Sequence, residues 1–228
     1  MHWKETKHEA MANHFELIVF DWDGTLMDST GAIVASIKAA ATDLGIDPPS
    51  EERARHIIGL GLIDALRHAL PDLPPERYQD VALRYRHHYL SMDQDLLLFE
   101  GAEALVDELA AAGYMLAVAT GKTRAGLDRA FTVSGLGTRF HASRCADECR
   151  SKPHPQMLEE LMAEFGVTPD VTLMIGDTTH DLLMARNAGV AALGVAYGAH
   201  PRATLEAESP LFCAADVAEL AEWLRGRS

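Results

Sequence analysis

Four short stretches hold the residues that could do chemistry. The first is FDWDGTLMDST, Phe20 to Thr30, where Asp21 and Asp23 stand two apart behind an apolar run. The second is Thr120-Gly121-Lys122, which follows YMLAVA; the third is SKPHP, with Lys152 just before a proline. The fourth is Gly176-Asp177, with Asp181 four residues later, behind VTLMI. A carboxylate at the end of a buried strand is costly unless a positive or hydrogen-bonding group meets it. Four acids gathered at one point would repel, or take up protons, without a cation. Hard oxygen ligands of this kind suit Mg²⁺, which keeps several waters and accepts one or two carboxylates plus a substrate phosphate. Lys152, the Thr120 hydroxyl and loop amides could then hold phosphate oxygens. A metal-masked carboxylate can itself attack phosphorus and form an aspartyl-phosphate. A second carboxylate two residues along can act as general acid and then as base. Gly24 permits a tight turn behind the pair, and Thr25 can fix the loop by hydrogen bonding.

These residues need a scaffold that brings them together. ELIVF (16–20), YMLAVA (114–119) and VTLMI (171–175) are short, nearly continuous apolar runs, with AALGVAY (191–197) a weaker fourth. Such runs read as strands buried on both faces of a parallel sheet. LFCAA (211–215) and TRFHAS (138–143) are candidate short additions. Helical stripes alternate with the runs, each stopped by a glycine at Gly113, Gly166 or Gly189. Thr178 or Thr179 can cap the last of these. The alternation predicts an α/β doubly wound, Rossmann-like parallel-sheet core. In such a sheet, ligands bind beyond the carboxyl ends of the strands, where all the polar endings would share one rim.

One region breaks the alternation. More than ninety residues separate the first two strands, far more than a crossover needs. Residues 29–98 read as wholly helical, and we expect an inserted all-α cap. Its connections fall near Met27–Gly31 and Gln94–Gly101. The core is then 1–28 with 99–228, and 1–13 reads as a frayed extension in which Met11 is an alternative start.

Composition narrows the class. The 228 residues carry a formal net charge of −14, which disfavours a nucleic acid or an anionic membrane as partner. No apolar run is long enough to span a bilayer, and three cysteines are too few for a disulfide framework. We expect a cytoplasmic protein, a monomer or homodimer, acting on a small molecule. His141, Cys145, Cys149 and His154 superficially suggest zinc. Their spacing is wider than zinc fingers use and His154 falls inside SKPHP, so they read as a polar loop.

DWDGTLMDS, ATGK, SKPHP and GDTTHD, in this order and spacing, resemble the haloacid-dehalogenase-like hydrolase superfamily. More narrowly, the chain resembles its phosphoglycolate-phosphatase-like branch, from Phe15 to the C-terminus. The resemblance implies a Mg²⁺-dependent phosphatase of a small phosphorylated metabolite. It implies Asp21 as nucleophile, and Asp23 as acid/base and, through its carbonyl, metal ligand. Thr120 and Lys152 would bind the phosphoryl group, with Asp177 on the metal and Asp181 supporting its shell. Many relatives have Asn where Gly121 stands, which leaves only a backbone amide here. Arg55 and His56, beside the glycine-rich 59–61 loop, are the expected specificity contacts of the cap.

Two rivals share these motifs. A sugar phosphomutase of the superfamily places a histidine ten residues after the second aspartate, and this chain has Ile33 there. A non-catalytic phosphate-binding module on the same fold would keep the acids without turnover.

Overall fold

The computed structural model describes residues 15–226. The expected N-terminal extension, Met11 included, lies outside the described residues.

Six strands form one parallel sheet: β1 Leu17–Phe20, β2 Met115–Thr120, β3 Ala142–Cys145, β4 Thr172–Gly176, β5 Ala191–Val195 and β6 Phe212–Ala214. Their order is β3-β2-β1-β4-β5-β6. β1 is central, pairing Phe20 with Val118 of β2 on one side and with Ile175 of β4 on the other. The chain moves outward from β1 in both directions, which is the doubly wound arrangement predicted.

Alternation of side chains explains why β1 reads as an unbroken apolar run. Ile18 and Phe20 join a cluster with Leu105, Val106 and Leu220, supplied by α5 (Ala102–Ala111) and α10 (Val217–Arg225). Leu17 and Val19 join another with Met157, Leu161 and Met184, from α7 (Gln156–Phe165) and α8 (Thr179–Ala188). With helices on both faces, no position in the strand can be polar without cost. Helices α6 (Arg124–Ser134) and α9 (Arg202–Glu206) complete the flanking layers.

The candidate strand at 138–143 needs correction. Gly135, at φ 73°, ends α6, and Leu136–Arg139 continue as a single 3₁₀ turn. Extended structure starts only at Ala142, where the chain reaches β2 and pairs with Ala117. β5 likewise stops at Val195, two residues short of the apolar run.

Between β1 and α5 lie four α-helices and no named strand: α1 Thr30–Asp43, α2 Glu51–His56, α3 Leu62–Ala69 and α4 Tyr78–Leu90. They bury a cluster of their own around Ile37, Leu66 and Val81. Ser50 caps α2 by accepting from the Arg53 amide at 3.2 Å, as the DPPS turn suggests. The two connections to this segment run side by side. Asp28 N donates to Leu97 O, Phe99 N donates to Leu26 O, and Met27 bridges antiparallel to Leu98. Among the described residues no helix is long and apolar enough to cross a membrane.

Candidate active site

Asp21 follows the last residue of β1, Thr120 ends β2, and Asp177 follows β4. Three adjacent parallel strands therefore deliver three polar groups to one rim. Trp22, between the two aspartates, is fully buried and packs edge-on against Phe131 at 5.2 Å. Its burial anchors the loop from the core side while the aspartates on either side of it face polar partners. Gly24 takes φ +80°, and a Cβ there would collide with the Asp177 carboxylate, so only glycine lets the loop close onto that acid.

One oxygen from each of Asp21, Asp177 and Asp181 fits within a 4.8 Å group, and all three residues are buried. Lys152, also buried, reaches Asp21 Oδ1 at 2.8 Å and Asp181 Oδ1 at 2.6 Å. Lys152 is thus shared between the two acids, and apart from it neither buried Asp21 oxygen has a hydrogen-bond partner among the described residues. Asp177 is held on both sides, by Thr25 Oγ1 at 3.0 Å and the Ala199 amide at 2.7 Å. Asp181 also completes a capping box, its Oδ2 accepting from Thr178 N and Oγ1.

The electrostatics follow from this packing. Burial pushes Asp21 up to about 7, partly offset by Lys152 and reinforced by Asp181 and Asp23. Burial, then the charges of Asp21 and Asp181, pushes Asp177 well above the usual carboxylate range. Burial works against the Lys152 charge, but Asp181 and Asp21 outweigh it and its pKa rises. Three buried carboxylates against one ammonium leave an excess of negative charge. A divalent cation bound through oxygen fits that excess and the Asp21 oxygens.

Asp23 lies apart from this trio. Its Oδ1 accepts from Ser29 Oγ at 2.6 Å and sits 3.0 Å from Lys122 Nζ. Lys122 also donates to Tyr89 OH at 2.9 Å and hangs 4.8 Å from the Tyr89 ring centroid. Thr120 Oγ1 accepts from the Lys122 amide at 3.2 Å. Sequence reasoning gives Lys122 no role of its own; its place in ATGK, two residues after Thr120, is the available signal.

The loop over residues 57–61, between α2 and α3, covers the carboxylates. A Cβ on Gly59 would lie 3.2 Å from Thr178 Oγ1 and 3.9 Å from Asp21 Oδ2. The Gly61 amide donates to Ser151 Oγ at 2.8 Å, tying the loop to the SKPHP segment. Two cavities flank it. One, of about 350 Å³, has Asp23 and Lys122 in its wall; the other, of about 660 Å³, has Lys152 and His154.

His56 lies in this contact, its ring stacked on His200 at 5.0 Å and edge-on to His180 at 5.4 Å. Its carbonyl accepts from His180 Nε2 at 2.7 Å and His200 Nε2 at 3.1 Å. Because His200 Nδ1 accepts from the Thr179 amide, its proton resides on Nε2. Burial lowers His200 to about 4, which keeps the ring neutral. Arg55 instead faces Glu51 at 3.4 Å and lines neither cavity. Outside the site, His141 Nδ1 accepts from the Leu116 amide, and Cys145 is buried in the core.

These features define the class: a doubly wound α/β hydrolase whose buried carboxylates surround one lysine. A model of the haloacid dehalogenase-like hydrolase family matches residues 18–195, and the chain belongs to that family. It sits in the phosphoglycolate-phosphatase-like branch. The "Probable phosphatase IndB" of Dickeya dadantii is 37% identical over 200 residues, covering 85% of this chain and 86% of that one. A phosphoglycolate phosphatase of Vibrio parahaemolyticus is 30% identical, covering 91% of this chain and 95% of that one. The crystal structure of a "predicted phosphoglycolate phosphatase" from Haemophilus somnus superposes with TM-score 0.82 at 26% identity. It covers 91% of this chain and 97% of the other.

Proposed function

We propose that the protein is a Mg²⁺-dependent phosphatase of small phosphate monoesters that works through an aspartyl-phosphate on Asp21. The enzyme is a phosphoric monoester hydrolase, in keeping with relatives named as phosphatases. The observation that carries the mechanism is the Asp21 carboxylate: buried, 2.8 Å from a buried lysine, and without any other polar partner among the described residues. A carboxylate met by one lysine alone keeps lone pairs free to bond elsewhere.

Asp21 attacks phosphorus while Asp23 gives its proton to the departing alcohol oxygen. Asp23 then takes a proton from water, whose oxygen attacks phosphorus and breaks the bond to Asp21, releasing phosphate. Lys152 holds Asp21 against Asp181 and adds positive charge beside the phosphoryl oxygens. The Thr120 hydroxyl and the Gly121 amide complete the phosphate cradle. Mg²⁺ would be held by Asp21, Asp177 and the Asp23 carbonyl, with Asp181 in support, and would neutralise phosphoryl oxygens. Residues 29–98 act as the cap over the core formed by the described residues on either side of them, and the 57–61 loop excludes water when it closes. Ile33 lines the cavity next to Asp23, which supports hydrolysis over mutase chemistry at that wall. The protein works in the cytoplasm on a soluble metabolite.

A phosphate-release screen over metabolite esters, with and without Mg²⁺, tests this reading. Asp21→Asn should abolish turnover with the fold intact. Turnover retained in that variant would assign the attack elsewhere. A folded wild type that binds Mg²⁺ but turns over no ester would favour a binding module.

A further inference from the structure

We propose that the alcohol released from this enzyme carries an aromatic ring, held between apolar side chains and Tyr85, in place of a small hydroxy acid. The inference rests on the phosphatase reading above and specifies what its leaving-group side accepts. Asp23 lies in the wall of the cavity of about 350 Å³, so the group that receives its proton extends into that space. The volume is near the lower end of small-molecule pockets, roughly 300–1,000 Å³. A two-carbon acid would leave most of it empty.

The walls are apolar and aromatic. Ile33 and Ile37 come from α1, Ile57 and Ile58 from the covering loop, and Tyr85 and Tyr89 from α4. The two tyrosine rings stack at 5.7 Å with 20° between their planes. The charged groups facing the cavity are mostly engaged. Lys122 is shared between Asp23 and Tyr89, and Arg129 bonds Asp93 Oδ2 at 3.2 Å and Ala125 O at 3.0 Å. Arg86, exposed, also lines the cavity. A carboxylate placed among the isoleucines would lose its water. A ring loses little there, gaining apolar contact and an aromatic neighbour.

Tyr85 is the residue best placed to read the ring. It is half-buried, it lines the cavity, and its hydroxyl makes no hydrogen bond among the described residues. It therefore offers a ring face and an uncommitted polar atom at one position. Arg55 and His56, the residues expected to set specificity, do not line this cavity.

Two matched pairs of esters test the proposal, since each keeps the leaving oxygen similar and changes the ring. One pair is 2-phenylethyl phosphate against ethyl phosphate, and the other a 5′-nucleoside monophosphate against ribose 5-phosphate. The ringed member of at least one pair should have kcat/KM about tenfold or more above its partner, as burial of one ring predicts. Which pair shows the gap distinguishes an aryl alcohol from a nucleoside. Tyr85→Ala should shrink the gap at least several-fold; Tyr85→Phe should keep most of it.

Equal rates within both pairs, or phosphoglycolate turned over faster than every ringed ester, would overturn the proposal. So would a Tyr85→Ala loss shared equally by the esters with an aromatic ring and those without one. The same pairs titrated calorimetrically into Asp21→Asn with Mg²⁺ read the pocket without chemistry. If no ester is turned over, the phosphatase reading fails, and the ring preference then stands or falls on those affinities.

Discussion

The Leu60 carbonyl oxygen lies 2.5 Å from where a Cβ on Gly121 would stand, with the Gly59 carbonyl oxygen 2.6 Å from the same point. The helical segment and the core thus meet through bare backbone just beyond β2. No larger side chain could be accommodated at Gly121 while the 57–61 loop sits where it does.

Gly121→Ala should therefore push the loop off the site. Both obstructing atoms belong to backbone, which cannot rotate away, so overpacking of about 1–3 kcal/mol is expected. Steady-state kinetics should show kcat/KM down by roughly 5- to 150-fold, with far-UV circular dichroism unchanged. Wild-type kinetics in this variant would mean that the loop does not need its position for turnover.

Metal-free stability should depend on pH through Asp21. Burial raises this carboxyl from its ordinary 3.8 to about 7. Between those values the folded protein keeps a proton that the unfolded chain has released. Its contribution to stability is therefore full below 3.8 and lost as pH rises toward about 7. His200 acts oppositely: lowered from 6.5 to about 4, it contributes above 6.5 and loses that as pH falls. Comparison with Asp21→Asn isolates the carboxylate. The wild-type Tm minus the variant Tm, measured in chelator, should fall between about pH 4 and pH 7, and MgCl₂ should reverse the fall. A difference that is flat with pH, or unmoved by Mg²⁺, would contradict the assignment of Asp21 to a cation site.

Lys152 should be hard to remove. Its side chain is fully buried between Asp21 and Asp181, so Lys152→Met leaves three buried carboxylates with no ammonium. Breaking such a cluster costs about 3–5 kcal/mol, readable by urea denaturation in chelator. Lys152→Met combined with Asp181→Asn should recover part of the loss but no activity. An unchanged denaturation midpoint in the single variant would show that the lysine is not the group balancing these acids.

Trp22 should carry stability without touching substrate. It is fully buried and packs against Phe131 at 5.2 Å and Phe140 at 6.2 Å. Trp22→Ala should cost about 3–5 kcal/mol, measured by thermal or chemical unfolding, whereas Trp22→Phe should cost much less. A Trp22→Ala protein as stable as wild type would mean that the loop bearing Asp21 and Asp23 is anchored elsewhere.

The sequence by itself determined the sheet and the gathering of its polar ends. Strands buried on both faces must be apolar throughout, so β1, β2 and β4 are legible as runs, and parallel strands deliver their succeeding residues to one rim. Asp21, Thr120 and Asp177 come together for that reason, and Asp181 joins them because Thr178 caps the helix it begins. β3 reads too early in the sequence because a 3₁₀ turn and a short edge strand leave no periodic signal. What only the tertiary structure decided lies between the helical segment and the core. The Tyr89–Lys122–Asp23 chain, the seating of His56 on His180 and His200, and the closure of Leu60 over Gly121 join residues 33 to 144 positions apart. Such contacts depend on how two separately packed bodies of side chains dock, and local periodicity carries no record of that.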